Sequence, residues 1–309
     1  MQTIFQGIWV PIITPFRGNA IDHAALARLA QHFAAHGIAG LVAGATTGEG
    51  ALLLPGEQEA IFATLREASA LPIVLGLSQP ATQAASVLAR SLAALRPDGL
   101  LVTPPSYLRP TQQGVQRHFE AIVEAADLPV LIYNIPYRTG IHVELETLQA
   151  LACDPRIAGI KECGGSVERL LRLVHETPLR VLSGDDSQNF AALCLGAHGT
   201  IAASAHLLPH WHVRIHTLLL KGELAAARRI AVALQPLIGD LFAEPNPAPL
   251  KALLAEQGWS TADVRLPFVP ASAGLCERLA ARWAALQIAQ QSSPDAELLG
   301  YPFASCSRA

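Results

Sequence analysis

Short runs of Val, Ile, Leu and Ala recur along the chain, at 7–13, 39–44, 72–77, 98–103, 129–134, 157–162, 179–184 and 199–204. They are continuous rather than alternating, the pattern of parallel strands that bury both faces. Between them lie Ala- and Leu-rich segments with apolar residues at helical spacing: 22–36, 56–69, 81–95, 112–126, 143–152, 166–176, 186–195 and 206–220. Asp22, Thr111 and Ser166 stand at helix starts, where a side-chain oxygen can cap the first free amides. Gly37, Leu71-Pro72, Pro97-Asp98, Leu128-Pro129 and Asp154-Pro155 punctuate the chain ahead of five of the strands.

Strand starts fall about 20 to 33 residues apart, the size of one βα unit. Eight such units with right-handed crossovers close most simply into an α/β TIM barrel, a (β/α)8 fold, predicted over 1–220. An open doubly wound sheet would need a Gly-rich phosphate turn after its first strand, and TPFRGNAID (14–22) has none. Helical stretches near 222–242, 247–257 and 272–290 predict a three-helix C-terminal appendage over 221–290. The polar segment 291–309 reads as a loose tail.

Composition narrows the function. Of 309 residues, 51% are apolar and 15% charged, with 22 basic against 25 acidic side chains, a net −3. Such a chain buries a large core and carries no electrostatic footprint for nucleic acid or an anionic membrane. A small-molecule substrate is expected. The N-terminus lacks a basic residue before Arg17 and is not a signal peptide by pattern. The longest stretch without Asp, Glu, Lys or Arg, 187–213, is broken by His, Pro and Gly and does not read as a membrane span. Five scattered cysteines without a C-x-x-C pair favour neither a disulfide framework nor a zinc ribbon. The expected location is the cytoplasm.

In a barrel the chemistry sits at the C-terminal strand ends. Lys161 ends the run IAGIK. It is one of three lysines, and Lys221 and Lys251 fall on helical segments where an exposed ammonium is ordinary. Lys161 reads either as a snorkelling or Glu162-paired lysine, or as a desolvated amine that attacks a carbonyl to form a Schiff base. Tyr133 ends the neighbouring strand and suits proton transfer to and from a carbinolamine, although packing alone would also explain it. Thr46 and Thr47 offer hydroxyls in a turn, and Arg138 offers a bidentate clamp for a carboxylate. Alone, either is an ordinary polar turn or a solvated loop residue. Their convergence on one rim carries the argument.

The motifs TTGE (46–49), TPPSYLRP (103–110), YNIPYRTG (133–140), IKE (160–162), SGDD (183–186) and EPNP (244–247) together resemble the dihydrodipicolinate synthase family of class I pyruvate-dependent aldolases, over about residues 5–290. The resemblance implies a Schiff base of pyruvate on Lys161, with Tyr133 donating and accepting protons. Thr46 and Tyr107 would complete a relay, Tyr107 reaching into a neighbouring subunit's site. Thr47 would hold the pyruvate carboxylate, Arg138 that of aspartate 4-semialdehyde, and the Ile201 backbone would line the pyruvate pocket. The implied product is 4-hydroxy-tetrahydrodipicolinate, made without metal or organic cofactor by a homo-oligomer, a tetramer or dimer.

Some positions depart from the family pattern. Ala45 stands where glycine is usual, and Ser106 replaces one tyrosine of a common pair. Leu54-Pro55-Gly56-Glu57-Gln58, Pro80 and Ala84 lack the groups that grip lysine in feedback-sensitive members, so no lysine inhibition is expected. The alternatives are another pyruvate-dependent aldolase or lyase, of the keto-sugar-acid or sialic-acid type, and a non-catalytic ligand-binding barrel. His206, His210, His212 and His216 contain two i, i+4 pairs that would suit a metal-dependent class II enzyme. Residues 210 and 212 differ by about 200° around a helix, so a solvent or subunit-contact face is the expectation. Of Asp185 and Asp186, one is expected to cap the next helix while the turn lines the pocket; EPNP is assigned a structural role.

Overall fold

The computed structural model describes residues 4–292. The chain opens with β1 (Gly7–Pro11) and a small hairpin, β2 (Phe16–Arg17) against β3 (Ala20–Ile21). Alternating elements follow: α1 (His23–Ala35), β4 (Gly40–Ala43), α2 (Glu57–Ala68), β5 (Ile73–Leu77), α3 (Thr82–Ala94), β6 (Gly99–Val102) and α4 (Gln112–Ala126). Next come β7 (Val130–Asn134), α5 (Pro136–Thr139), α6 (Leu145–Leu151), β8 (Ile157–Glu162), α7 (Val167–Glu176), β9 (Arg180–Ser183), α8 (Asn189–Cys194), β10 (Gly199–Ile201) and α9 (Pro209–Leu220). Strand β1 pairs in parallel with both β10 and β4, which closes the eight long strands into the predicted barrel. The side chains of Asp22, Thr111 and Ser166 accept from the amides of Ala25, Gly114 and Arg169, as their N-cap positions predict.

Burial of both strand faces explains the continuous apolar runs. On β7, Val130 and Ile132 pack outward against the helical layer, while Leu131 and Tyr133 point into the barrel with Val42, Val74, Leu101 and Leu182. Trp9 fills the interior from β1 and is fully buried. A Cβ on Gly40 would lie 2.3 Å from its indole, so the bare glycine is what admits the ring.

The appendage consists of α10 (Leu224–Leu241), α11 (Ala248–Glu256) and α12 (Ala273–Ser292). Its residues Leu234, Leu250, Leu254 and Trp283 belong to the same apolar cluster as the barrel's outer layer. Helix α12 runs two residues into the segment expected to be a tail, and the remainder of that segment lies outside the described residues. No helix among the described residues is long and apolar enough to cross a membrane.

Two expectations are corrected. Lys251 is fully buried rather than exposed: its ammonium pairs with the Glu49 carboxylate, donates to the Asp263 carbonyl at 2.9 Å and lies 4.3 Å from the Phe16 ring centre. Lys221 is exposed, as expected. The histidines of 206–216 do not form one solvent or subunit face either. His206 and His212 are buried, and only His210 and His216 are half-buried. His206 accepts the Ile13 amide on Nε2 at 3.1 Å and donates from Nδ1 to the Ala203 carbonyl at 2.8 Å. Both its ring nitrogens therefore serve the fold. Helix α9 turns His212 and Trp211 toward the barrel, and i, i+4 spacing alone does not reveal that direction.

Burial pushes His118, His206 and His212 down to about 4 from the ordinary 6.5. The unfolded chain binds protons on these rings below about pH 6.5, whereas the folded chain excludes them until about pH 4. Stability is therefore full above that window and declines as pH falls through it. The melting temperature should drop clearly between about pH 7 and about pH 5; an unchanged melt would contradict the burial argument.

Candidate active site

At the C-terminal mouth of the barrel lies a cavity of about 390 Å³. Six of the seven residues singled out in the sequence line it: Lys161, Tyr133, Thr46, Thr47, Arg138 and Ile201. The seventh, Tyr107, does not. Its side chain stands 92% exposed on the loop after β6, away from its own chain's cavity.

Lys161 and Tyr133 are register partners on β8 and β7, so both side chains point inward at one level. The Lys161 Nζ lies 4.2 Å from the Tyr133 ring centre, and the two residues are each 4% exposed. Glu162 faces the opposite side of the wall, where it accepts from Arg169 at 3.1 Å and from Asn134 at 2.8 Å. An ion pair between the two adjacent residues is thereby excluded. Burial holds the Lys161 ammonium below the ordinary lysine range, with the Asp186 carboxylate opposing and Arg138 reinforcing that pull. Burial likewise pushes the Tyr133 phenol well above the usual tyrosine range, so it keeps its proton at neutral pH. A Cβ on Gly184 would lie 2.3 Å from the Lys161 Cε, so the glycine of SGDD is the bed on which the lysine chain lies.

The loop after β4 carries Thr46 and Thr47. Thr46 Oγ1 is 3.5 Å from the Tyr133 hydroxyl. Thr47 is buried, and its Oγ1 accepts from Asn246 Nδ2 at 3.0 Å. The left-handed backbone of this turn falls on Gly44 and Glu49, with Ala45 outside it, which is why a Cβ is tolerated where glycine is usual. Below the loop, Thr14 Oγ1 donates to the Gly48 carbonyl at 2.7 Å. At the mouth, Arg138 is exposed and sits over the Tyr137 ring.

Asp185 caps its own turn by accepting from the Ser187 amide at 3.1 Å, while Asp186 lines the cavity, as the SGDD motif suggested. The structural role assigned to EPNP is incomplete. Glu244 does accept from the Ser272 amide at the start of α12, but Phe242 to Asn246 also form one wall of the cavity. A buried asparagine between two prolines was the available signal, and the chain distance of 199 residues to Thr47 concealed its use. Cys163, buried beside Lys161 with its thiol pushed up to about 12 by burial, was likewise not singled out.

A closed parallel barrel with an inward-facing, desolvated lysine at a strand's C-terminal end defines an enzyme of the class I aldolase type. Residues 4–285 match the dihydrodipicolinate synthetase family. The 4-hydroxy-tetrahydrodipicolinate synthase of Sorangium cellulosum is 35% identical over 299 residues, 94% of this chain and 99% of that protein. Among solved structures, the 4-hydroxy-tetrahydrodipicolinate synthase of Methylacidiphilum fumariolicum SolV superposes with a TM-score of 0.91 at 34% identity, covering 96% of this chain and 99% of its own. The dihydrodipicolinate synthase of Cyanidioschyzon merolae, solved with lysine bound, gives 0.90 at 32% identity, covering 93% and 100%. The chain belongs to the dihydrodipicolinate synthetase family. It is a lyase whose reaction is the condensation of pyruvate with aspartate 4-semialdehyde, a step of diaminopimelate and lysine biosynthesis.

Proposed function

We propose that this cavity performs the condensation through a Schiff base on Lys161, a reading carried by the Lys161–Tyr133 pair at the cavity floor. The neutral amine attacks the pyruvate ketone carbon, and Tyr133 protonates the resulting alkoxide. Loss of water from the carbinolamine leaves an iminium, and loss of a methyl proton gives the enamine that attacks the aldehyde carbon. The amino group brought by the semialdehyde then attacks the second iminium, closing the ring and expelling the Lys161 amine, so that one water is lost overall. The imine is itself the electron sink, so no cofactor is called for.

Thr47, steadied by Asn246, holds the pyruvate carboxylate beside Ile201, and Arg138 at the mouth receives the carboxylate of the aldehyde. Thr46 passes protons between Tyr133 and Tyr107 of a second copy of the chain. Two features support that role for Tyr107: its exposure, and a positive φ of 69° held by its amide donating to the Thr139 carbonyl at 3.1 Å. Such a backbone costs on the order of 1–3 kcal/mol in a non-glycine residue. The enzyme is accordingly a homo-oligomer that works in the cytoplasm.

Pyruvate consumption measured with aspartate 4-semialdehyde tests the reading, and turnover only with a different aldehyde overturns it. Tyr133→Phe should lower kcat by about 10²–10⁴-fold, the usual worth of a positioned proton donor. A loss of only a few fold would remove Tyr133 from the mechanism. Lysine at millimolar concentration should leave the rate unchanged. Supporting this, Glu57 is spent on Arg265 at 2.6 Å and Gln58 on the Gly76 carbonyl at 2.8 Å, so neither is available to grip a ligand. Severalfold inhibition would overturn that expectation.

A further inference from the structure

We propose that Asp186, Ser204 and His212 form a buried positioning chain that holds an ionised carboxylate beside Lys161 and thereby sets the amine's acid–base behaviour. The inference rests on the Schiff-base reading of Lys161.

Asp186 follows β9 by three residues and is 4% exposed. One face of it borders the cavity. On the other, Oδ1 accepts from the Ser204 amide at 2.7 Å and from the Ser204 hydroxyl at 2.5 Å, and Oδ2 accepts from the Ala203 amide at 3.2 Å. Burial lifts the Asp186 carboxyl above the ordinary carboxylate range, and these three donors with the Lys161 ammonium pull against that lift. With both oxygens accepting, the chain is what favours the anion there. Ser204 has only one hydroxyl hydrogen and spends it on Asp186, so its oxygen is left to accept. His212 Nε2 stands 3.2 Å away and fills that role as a neutral imidazole carrying its proton on Nε2. The order of donation is therefore His212 to Ser204 to Asp186.

The outer end of the chain is polar as well. A cavity of about 20 Å³ lies behind the barrel wall, bordered by Asp186, His212, Asn189 and Thr200. Asn189 and Thr200 are buried, and the amide oxygen and nitrogen of the first and the hydroxyl of the second have no partner among the described residues. The space and the donors suit one water, which would tie both residues to the chain.

The charge matters because of what else surrounds Lys161. Tyr133 and Tyr137 face it as phenols, Cys163 as a thiol and Arg138 as a cation. The other carboxylate on the cavity wall, Glu244, is turned onto Ser272 in solvent-exposed hydrogen bonds, where water screens its charge. Asp186 is thus the anion that stabilises the ammonium before attack and the iminium after it. Its loss should favour the free amine, moving the acid limb of reactivity to lower pH, and should weaken the iminium, lowering kcat.

The test is borohydride trapping of pyruvate on the full-length enzyme across pH, alongside pH profiles of kcat and kcat/KM and a thermal melt of each variant. Asp186→Asn should move the acid limb of trapping down by about one pH unit or more, as loss of a nearby opposite charge does, and lower kcat. His212→Phe and Ser204→Ala should shift the limb the same way by less. His212→Gln keeps an N–H donor and should restore the wild-type limb. Should Asp186→Asn fail to fold, Ser204→Ala, which removes one hydroxyl, carries the same reading. Folded variants with lowered rates and an unmoved limb would reduce the chain to packing and overturn the proposal while wild-type trapping kept the Schiff-base reading intact. A wild type that traps no pyruvate overturns both.

Discussion

Lys161→Ala should abolish the borohydride-stable pyruvate adduct and lower kcat by at least about three orders of magnitude, because nothing else in the cavity can replace a covalent nucleophile. The other two amines are out of reach by construction. Lys221 is exposed at the end of α9, and Lys251 is buried in α11 with its ammonium paired to Glu49. Lys161→Arg retains a cation on the same strand without a nucleophilic amine and should be equally inactive. Intact-protein mass spectrometry after incubation with pyruvate and borohydride reads the adduct directly. An adduct persisting on Lys161→Ala would move the chemistry to a different residue. The same spectrum on Tyr133→Phe should show an adduct that forms slowly, since the nucleophile remains and only the proton donor is gone.

The barrel was legible because its physics is local. A strand buried on both faces must be apolar at every position, and the runs from 7–13 to 199–204 announce all eight strands within a few residues of their observed ends. The placement of the proposed catalytic pair was legible for a related reason. A lysine closing an apolar strand has no cheap explanation, and the parallel register then sets Tyr133 opposite it. What stayed hidden depends on distant chain segments. Nothing near Lys251 signals that Glu49, 202 residues upstream, will meet it in the core. Nothing in AHLLPHWHVRIH says which face of α9 meets the barrel, so the burial of His206 and His212 was missed. Asn246 needed the appendage to fold back onto the loop of Thr47 before its use could be seen. Local pattern therefore reveals the elements and the strand end that carries Lys161, while the residues that brace the cavity emerge only from tertiary packing.

Lys251→Met should show how much that bracing is worth. Its ammonium and the Glu49 carboxylate are fully shielded from solvent, and Glu49 also accepts the Arg265 amide at 2.9 Å. Arg265 in turn donates to Glu57 and to the carbonyls of Leu52 and Asn19 at 3.0 and 2.8 Å, stitching the strand β4 loop to the segment before α12. Removing the cation leaves Glu49 as an uncompensated buried charge, a loss of about 3–5 kcal/mol. For a chain of this size that corresponds to a melting temperature lower by roughly 5–8 °C. Glu49 holds a left-handed backbone with its amide donating to the Thr46 carbonyl at 3.1 Å. Its release should therefore loosen the Thr46–Thr47 turn and raise KM for pyruvate severalfold, while Lys161, anchored on β8, still forms its adduct. The double variant Glu49→Gln with Lys251→Met removes both charges and should recover much of the lost stability, because the penalty lies in the orphaned carboxylate rather than in the missing attraction. Calorimetry on the two variants separates these terms. If Lys251→Met melted within a degree or two of wild type, the buried pair would contribute nothing to holding the loop, and the packing of Thr14 against Gly48 would have to carry it instead.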